Sequence, residues 1–188
     1  MRLDRYDKFN FDRGAGSFKE ASWLLCEWLF LSSWFPGTKI RVFLLRRFGA
    51  QIGTGVVINP GVRIKFPWRL KIGNHSWIGR NVWLDNLAEV NIGNHCCISQ
   101  DVYFCTGNHD WTKESFDLLT KPISIENSVW ICARATIGPG VRVGEGAVLS
   151  LGSVANWNLD AGWIYQGVPA APVRERYDDE SINQDFTV

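Results

Sequence analysis

One histidine stands out by its place in the chain. His109 lies in the segment Thr106-Gly107-Asn108-His109-Asp110, directly before a stretch that interrupts a regular repeat. An imidazole changes charge near neutral pH and can therefore accept a proton during a reaction and return it. Asp110 follows directly, and two roles stay open for it: orienting the ring or capping the loop. Cys105 lies close to His109 in the chain and could act as a nucleophile that forms a covalent acyl-enzyme. A buried, inert thiol is the simpler interpretation.

The other two histidines have a different setting. His75 and His95 are twenty residues apart, and each follows an Asn and lies two residues past a Gly. This equal spacing predicts that they stack on the same corner of a repeating structure, and we assign them no chemical role.

The five cysteines are odd in number and fit no metal or disulfide spacing, so reduced thiols in a cytoplasmic protein are expected.

Composition bounds the protein class. The chain has 188 residues and a formal net charge of +1, which suits one domain with a sizeable core. A nucleic-acid partner is not expected, because such proteins show a basic surface. Ten Trp, eleven Phe and four Tyr exclude a disordered chain.

An internal repeat of six residues predicts the fold. Large apolar residues open successive hexads, and a small or β-branched residue follows four positions later in most of them. The openers are Ile52, Ile58, Ile64, Ile72, Ile78, Leu84, Ile92, Ile98, Phe104, Ile125, Ile131, Ile137, Val143 and Leu149. Neither a strand nor a helix alone has this period. Short strands separated by tight turns do, three to a triangular coil, with stacked coils burying one continuous core.

The predicted architecture is mainly β: a parallel β-helix of about five triangular coils with an N-terminal helical segment and a protruding loop. Residues 1–50 are predicted as the helical segment, 51–160 as the β-helix and 161–188 as a C-terminal extension. Within the β-helix, residues 110–121 break the repeat and are expected to leave it as a loop. Long loops on rigid scaffolds commonly carry function.

The sequence resembles the hexapeptide-repeat acyltransferases. Five segments, in the family's order, carry the resemblance. They are Thr106-Gly107-Asn108-His109-Asp110, Lys121-Pro122-Ile123, Val129-Trp130-Ile131, Pro139-Gly140-Val141 and Gly167-Val168-Pro169-Ala170. Within the family, the chain is most similar to colanic-acid-type exopolysaccharide O-acetyltransferases and to the maltose, galactoside and Nod-factor O-acetyltransferases. The resemblance implies that the β-helix is left-handed.

The resemblance also implies an activity. It is transfer of acetyl from acetyl-CoA to a sugar hydroxyl in colanic-acid-like exopolysaccharide biosynthesis, by direct transfer in a ternary complex with His109 as general base. Acetyl-CoA is implied as cosubstrate, in a groove between the subunits of a homotrimer, and no metal is expected. The residues implied to contact acetyl-CoA are Trp130, Ala133, Leu151, Asn156 and Arg174, with the Ala133 N–H near the thioester oxygen.

The acceptor is expected to be a sugar or oligosaccharide, and a lipid-linked one stays open. Asp85 and Asn86 lie about twenty residues before Cys105 and Thr106, hence one coil below them, and the family uses a polar residue there to hold the sugar. Trp111 offers a ring for sugar stacking. These three residues are the acceptor-binding candidates.

Residues 17–48 read as helical, with two interpretations. A cap on the open end of the β-helix is favoured, since solenoid ends need covering. The alternative is peripheral membrane contact through residues 21–48 at the inner face of the plasma membrane, because the segment is Trp-rich, apolar and flanked by basic residues.

Three alternatives stand beside the main function. An N-acetyltransferase of an amino sugar would use the same fold and base. A γ-type carbonic anhydrase-like zinc enzyme shares the fold, but its histidine spacing is missing. A non-catalytic β-helix scaffold is disfavoured by the intact segments around His109 and Pro169.

Overall fold

The structure is a computed structural model and describes residues 1–6, 11–35 and 37–177. The end of the predicted C-terminal extension, residues 178–188, lies outside the described residues. Two helices come first, α1 (Ser17–Cys26) and α2 (Thr38–Arg47), with a π-helical turn at Glu27–Leu31 after α1. Short 3-10 turns span Leu3–Arg5 and Pro67–Arg69.

Short strands make up most of the remaining chain. In order, they are β1 (Gln51–Ile52), β2 (Val57–Ile58), β3 (Arg63–Ile64), β4 (Leu70–Ile72), β5 (Trp77–Ile78), β6 (Trp83–Asp85), β7 (Val90–Ile92), β8 (Cys97–Ile98), β9 (Tyr103–Cys105), β10 (Gly107–His109), β11 (Leu118–Thr120), β12 (Ile123–Ile125), β13 (Trp130–Ile131), β14 (Thr136–Ile137), β15 (Arg142–Val143), β16 (Val148–Leu149), β17 (Val154–Ala155), β18 (Trp163–Gly167) and β19 (Ala170–Glu175).

Three parallel sheets form the sides of a triangular solenoid. Sheet A stacks β1, β4, β7, β12 and β15, and sheet C stacks β3, β6, β9, β14 and β17. Sheet B stacks β2, β5, β8, β13, β16 and β18, and then adds β19 in the antiparallel direction. These pairings give five complete coils, so the predicted β-helix with its N-terminal helices is confirmed.

The hexad openers build the core. Every opener listed above is at least nine-tenths buried, and most of the small residues that follow them are buried as well. Each strand thus sends one large side chain inward, and the small residue fills the corner. Because one coil alone cannot enclose these side chains, the core exists only through stacking.

The corners between sheets A and B carry a ladder of asparagines. The Oδ1 atoms of Asn74, Asn94 and Asn127 each accept the backbone N–H from the corner of the coil below, at 2.8, 2.7 and 2.9 Å. His75 and His95 stack beside this ladder with ring centroids 5.3 Å apart, which confirms the predicted structural stacking. A Cβ placed on Gly73 would lie 2.6 Å from the backbone carbon of Gly93, so glycine is required for this close approach.

The repeat breaks between coils three and four. Ile92 pairs directly with Ile125, although 33 residues separate them in the chain. The intervening segment leaves the corner between sheets C and A as an antiparallel ribbon of β10 and β11. The predicted loop therefore has an ordered base, and residues 110–117 connect its two strands.

The N-terminal helices cover the first coil. The Trp23 indole is fully buried and donates to the Ile64 carbonyl at 2.7 Å, and the Glu27 carboxylate accepts the Ile64 N–H at 2.7 Å. Burial raises the pKa of Glu27. Arg41 is also buried and donates to the Phe30 and Ile58 carbonyls. Within the described residues, no helix has both the length and the apolar character needed to cross a bilayer.

Candidate active site

The ribbon gives its two faces different neighbours. Asn108 pairs with Leu119 on one face, and this pair lines a pocket of about 270 Å³ with Gly138 and Asn156 of the later coils. Successive strand residues point to opposite faces. Gly107 and His109 therefore belong to the other face, where a Cβ on Gly107 would lie 2.8 Å from Leu87. His109 consequently faces the earlier coils.

The His109 ring is fixed by two aromatic neighbours and one hydrogen bond. Its Nδ1 lies 2.8 Å from the Phe116 carbonyl oxygen. The Phe116 ring stacks parallel on the imidazole with centroids 4.2 Å apart, and the Tyr6 ring meets it in a T-shaped contact at 5.5 Å. A carbonyl oxygen only accepts, so Nδ1 donates in this geometry and Nε2 of the neutral ring keeps a free lone pair.

Phe116 adopts an unusual backbone conformation to make these contacts. Its φ is +52°, in the left-handed region that bulky residues rarely occupy. In this conformation the carbonyl and the ring of Phe116 both face the imidazole of His109. Strained residues of this kind are concentrated at functional sites.

Asp110 acts within the loop. Its Oδ1 accepts from the Thr112 N–H at 3.1 Å and from the Thr112 hydroxyl at 2.5 Å, and its Oδ2 lies 3.5 Å from Lys113 Nζ. The hydroxyl bond is the largest cause of the lowered pKa of Asp110. Of the two roles considered for Asp110, the structure favours the loop cap, while the Phe116 carbonyl takes the place beside Nδ1.

Asp85 lies where the spacing placed it, directly below Cys105 in sheet C. Its carboxylate accepts from Lys65 Nζ at 2.9 Å and from the Tyr103 hydroxyl at 3.4 Å. Burial, with Cys105 and Asp85 nearby, raises the pKa of Tyr103, so the phenol stays protonated. The Cys105 thiol donates to the Gly107 carbonyl at 3.2 Å.

The prediction that Asn86 contacts an acceptor is wrong. Asn86 is fully buried, its Oδ1 accepts the Phe66 N–H at 2.9 Å, and its Nδ2 donates to the Phe66 carbonyl at 2.7 Å. Two extra residues on the third side of each early coil cause the difference. They bring Phe66, Asn86 and Thr106 inward, two residues after an opener instead of the expected four.

Trp111 lies on the loop that follows His109, whereas Asp85 lies on strand β6 of sheet C. Its side chain is 78% exposed and its backbone N–H donates to the His109 carbonyl at 3.0 Å. It therefore offers an open ring near the ribbon rather than a wall of the sheet C surface.

Four of the five residues proposed for the cofactor lie on one side of the solenoid. Trp130 aligns through Val148 and Ile164 with Arg174, so Trp130 and Arg174 share one column of sheet B. Ala133 and Leu151 lie at the corner where sheet B passes into sheet C, with the Gly152 N–H bonded to the Ala133 carbonyl at 2.9 Å. Among the described residues, the Ala133 N–H has no acceptor.

Asn156 lies at the opposite edge of sheet C, in the pocket with Asn108. The turn at Leu151 and Gly152 and the strand β17 separate Asn156 from Leu151 along the chain. Asn156 and Leu151 therefore lie at opposite edges of sheet C.

The Cys132 thiol lies next to Ala133 and is partly buried. Burial, followed by the effect of Cys97, raises its pKa to about 11, so it stays protonated at neutral pH.

Comparisons with known proteins identify the family. No protein-family model matches the chain. The chain is 38% identical over 170 residues to the Escherichia coli protein named "Putative colanic acid biosynthesis acetyltransferase WcaF", covering 89% of this chain and 93% of that one. The chain belongs to the hexapeptide-repeat acetyltransferases.

Other relatives agree with this assignment. The galactoside O-acetyltransferase of Escherichia coli is 27% identical over 138 residues, covering 72% of this chain and 68% of that protein. A hexapeptide-repeat acetyltransferase of Vibrio cholerae, solved with acetyl coenzyme A, superposes with a TM-score of 0.78 at 27% identity. That alignment covers 94% of this chain and 98% of the other. The predicted left-handed β-helix is thus confirmed.

Sequence reasoning missed two residues of this acetyltransferase that touch His109. Tyr6 lies more than one hundred residues away in the chain, and no pattern at the N-terminus signals the contact. The left-handed conformation of Phe116 could not be predicted from the sequence either, because phenylalanine does not favour it. Across residues 1–6, 11–35 and 37–177, no group of three His, Cys, Asp or Glu side chains could hold a metal ion.

Replacing Asn86 tests its structural role. Asn86→Ala removes both partners of the buried Phe66 backbone, so we expect a loss of about 2–4 kcal/mol in the free energy of unfolding. Urea denaturation measures it. The matched control is Asn108→Ala, an exposed amide on the ribbon, expected within about 0.5 kcal/mol of the parent. Equal stability of both variants would contradict the assignment.

Proposed function

We propose that this acetyltransferase moves the acetyl group of acetyl-CoA to a hydroxyl of a sugar, with His109 as general base. The observation that carries the proposal is the bond from His109 Nδ1 to the Phe116 carbonyl, which leaves Nε2 as the proton acceptor. Family membership supplies the acetyl transfer. The solved complex of the Vibrio cholerae relative supports acetyl-CoA as the cosubstrate.

The chemistry is a direct transfer between two bound substrates. Nε2 takes the proton of the acceptor hydroxyl while its oxygen attacks the thioester carbonyl. The tetrahedral intermediate places negative charge on the former carbonyl oxygen, where the free N–H of Ala133 is the donor. Collapse breaks the carbon–sulfur bond, and the imidazolium returns its proton to the CoA thiolate. The ester product and CoA then leave, and no covalent enzyme intermediate forms.

The acetyl-CoA surface is proposed on sheet B and its corner with sheet C. Trp130 is half-exposed and its ring is held by a bond from Nε1 to Ser99 Oγ at 3.0 Å. Leu151 is 69% exposed beside Ala133 and offers an apolar contact for the pantetheine arm. Arg174 forms no ion pair within the described chain, so its guanidinium is available for a CoA phosphate.

The acceptor is proposed on the other side of His109, toward the earlier coils. Asp85 presents a carboxylate on sheet C beside the rings of Trp83 and Tyr103, which are tilted by 36° with centroids 4.8 Å apart. Carboxylates bind sugar hydroxyls, and aromatic rings bind the apolar faces of sugars. Trp111 completes this proposal as an exposed ring on the loop. The relationship to the colanic acid protein favours an exopolysaccharide sugar.

A homotrimer with sites between subunits is part of the proposal. Asn156 and His109 lie at the corner between sheets C and A, whereas Ala133 and Leu151 lie at the corner between sheets B and C. A site containing His109 and the Ala133 N–H therefore needs two chains, each supplying one corner. A cyclic trimer forms three such sites with the same contact repeated.

Removing the base tests the chemistry. His109→Ala should lower acetyl transfer roughly 10²–10⁴-fold, because the acceptor proton has no base. Calorimetric titration with acetyl-CoA should give the same Kd as the parent protein. His75→Asn is the matched control, since this exposed ladder histidine is expected to leave turnover unchanged. Full activity of His109→Ala would contradict the role of His109 as the base. If the folded parent protein did not bind acetyl-CoA, acetyl-CoA could not be the acetyl donor.

Mixing two inactive variants tests the shared site. His109→Ala and Leu151→Glu damage opposite corners, so each alone should be inactive. Co-expressed in equal amounts, they should regain about a quarter of the parent activity, because that share of sites pairs two intact corners. Mixing the separately purified proteins without dissociation is the control. Light scattering at the mass of a single chain, or no regained activity, would contradict the trimer.

Membrane contact is proposed through the outer face of α1 and the turn after it. This face exposes Leu24, Leu25, Trp28 and Leu29, where a surface helix normally carries polar residues. From residue 21 to 50 the single acid is Glu27, which is turned inward to Ile64. The exposed charges there, Lys39, Arg46 and Arg47, are all positive. An apolar, Trp-containing face with a basic flank suits an anionic lipid surface.

Flotation tests this contact. The parent protein should co-float with vesicles of phosphatidylcholine and phosphatidylglycerol, less so at high salt, because the basic flank is screened. Trp28→Glu should abolish co-flotation, whereas Val173→Glu, an exposed site on β19, should not. Absence of the intact protein from the lipid fraction would refute membrane contact.

A further inference from the structure

Residues 11–13 lie along the corner between sheets C and A, the same corner from which the ribbon with His109 leaves the stack. The Phe11 ring stacks on Phe66 at 6.3 Å, and the Trp68 indole donates to the Arg13 carbonyl at 2.8 Å. Arg69 donates to the Asp12 carbonyl at 2.5 Å. These contacts fix residues 11–13 against the corner between sheets C and A in the first coil.

The first six residues reach the ribbon on the same side of the molecule. The Arg2 N–H donates to the Glu114 carbonyl at 2.8 Å, in the loop between β10 and β11. Four residues later, the Tyr6 ring meets the His109 ring at 5.5 Å and an interplanar angle of 67°. The N-terminal segment thus touches both the loop and the imidazole.

Two aromatic rings from distant parts of the chain therefore hold one imidazole. Phe116 covers a face of the ring in parallel stacking, so Tyr6 meets it from a different direction. Only one ring orientation keeps Nδ1 against the Phe116 carbonyl. A turn of the imidazole about its Cβ–Cγ bond breaks that hydrogen bond and moves Nε2. Contact from a second direction opposes such a turn.

We propose that Tyr6 is a positioning residue for His109 and that residues 1–6 form a wall on the acceptor side of the site. The proposal rests on the function proposed above, with His109 as the base. Tyr6 acts through its ring, which holds the imidazole in the orientation that leaves Nε2 toward the acceptor. The N-terminus thereby has a part in turnover that is separate from the capping of the first coil by α1 and α2.

The test compares Tyr6→Ala with Tyr6→Phe, because only the first loses the ring. Protein labelled with 15N-histidine gives three imidazoles, and the His109 signals are identified by their loss in His109→Ala. In the parent and in Tyr6→Phe, neutral His109 should show a protonated Nδ1 and an unprotonated Nε2. In Tyr6→Ala, the two nitrogens should move toward averaged shifts, as the ring samples both orientations and tautomers.

A kinetic arm uses water as the acceptor, so that no sugar needs to be known. Release of CoA from acetyl-CoA should fall about tenfold in kcat in Tyr6→Ala, with KM for acetyl-CoA unchanged. Tyr6→Phe should retain the parent kcat, and deletion of residues 1–6 should match Tyr6→Ala. Phe18→Ala, in which an exposed N-terminal aromatic is lost, is the control for a general effect of the segment.

The outcomes separate the two proposals. Parent-like tautomer and kcat in Tyr6→Ala, alongside an inactive His109→Ala, would overturn the role of Tyr6 and leave the base intact. Parent-like hydrolysis in His109→Ala would instead overturn the proposed function. An equal loss in Tyr6→Phe and Tyr6→Ala would show that the ring is not what acts.

Discussion

Hydrogen bonding between successive parallel coils is the constraint on which the rest of the structure depends. Each strand has its partner directly below, so a residue's neighbours are fixed by its position in the coil rather than by its distance along the chain. Ile92 and Ile125 pair across 33 residues as closely as Ile52 and Ile72 do across twenty. This rigidity allows a ribbon to leave the stack without disturbing the coils on either side.

The ribbon uses that rigidity to bring together groups that no local pattern connects. Its base is held in register by coils three and four, so the small movements that would displace His109 are resisted from both sides. The imidazole is then oriented by main chain, through the Phe116 carbonyl. A carbonyl has no charge to change with pH, and it fixes the Nδ1–H tautomer at every pH at which the ring is neutral.

The hexad period predicted most of the fold because burial repeats with the same period as the chain's turns. Every opener is inside, and the break in the pattern marked the ribbon and its histidine. The prediction for Asn86 failed for a physical reason: two extra residues on one side shift which position points inward. The six-residue period does not predict which side chains point inward at an irregular corner. There, the steric fit and the hydrogen bonds of the individual residues determine it.

The contacts around His109 were beyond sequence reasoning for a related reason. Tyr6 reaches the ring through a segment outside the repeat, and the conformation of Phe116 opposes its own backbone preference. Tertiary contacts decide both. The sequence also did not predict that the residues proposed to contact acetyl-CoA lie at two different corners. Only the structure shows that Leu151 and Asn156 lie at opposite edges of sheet C.

The reversal of strand direction at β19 affects whether one β-helix can associate end to end with another. A parallel stack has the same repeat at every level, so a bare final strand would accept the first strand of another copy as readily as its own next coil. Here β19 folds back on β18 in the antiparallel sense, and its Pro172 lacks the N–H that a further strand would need. On sheet B, the β-helix thereby ends as a finite particle instead of growing into a fibre.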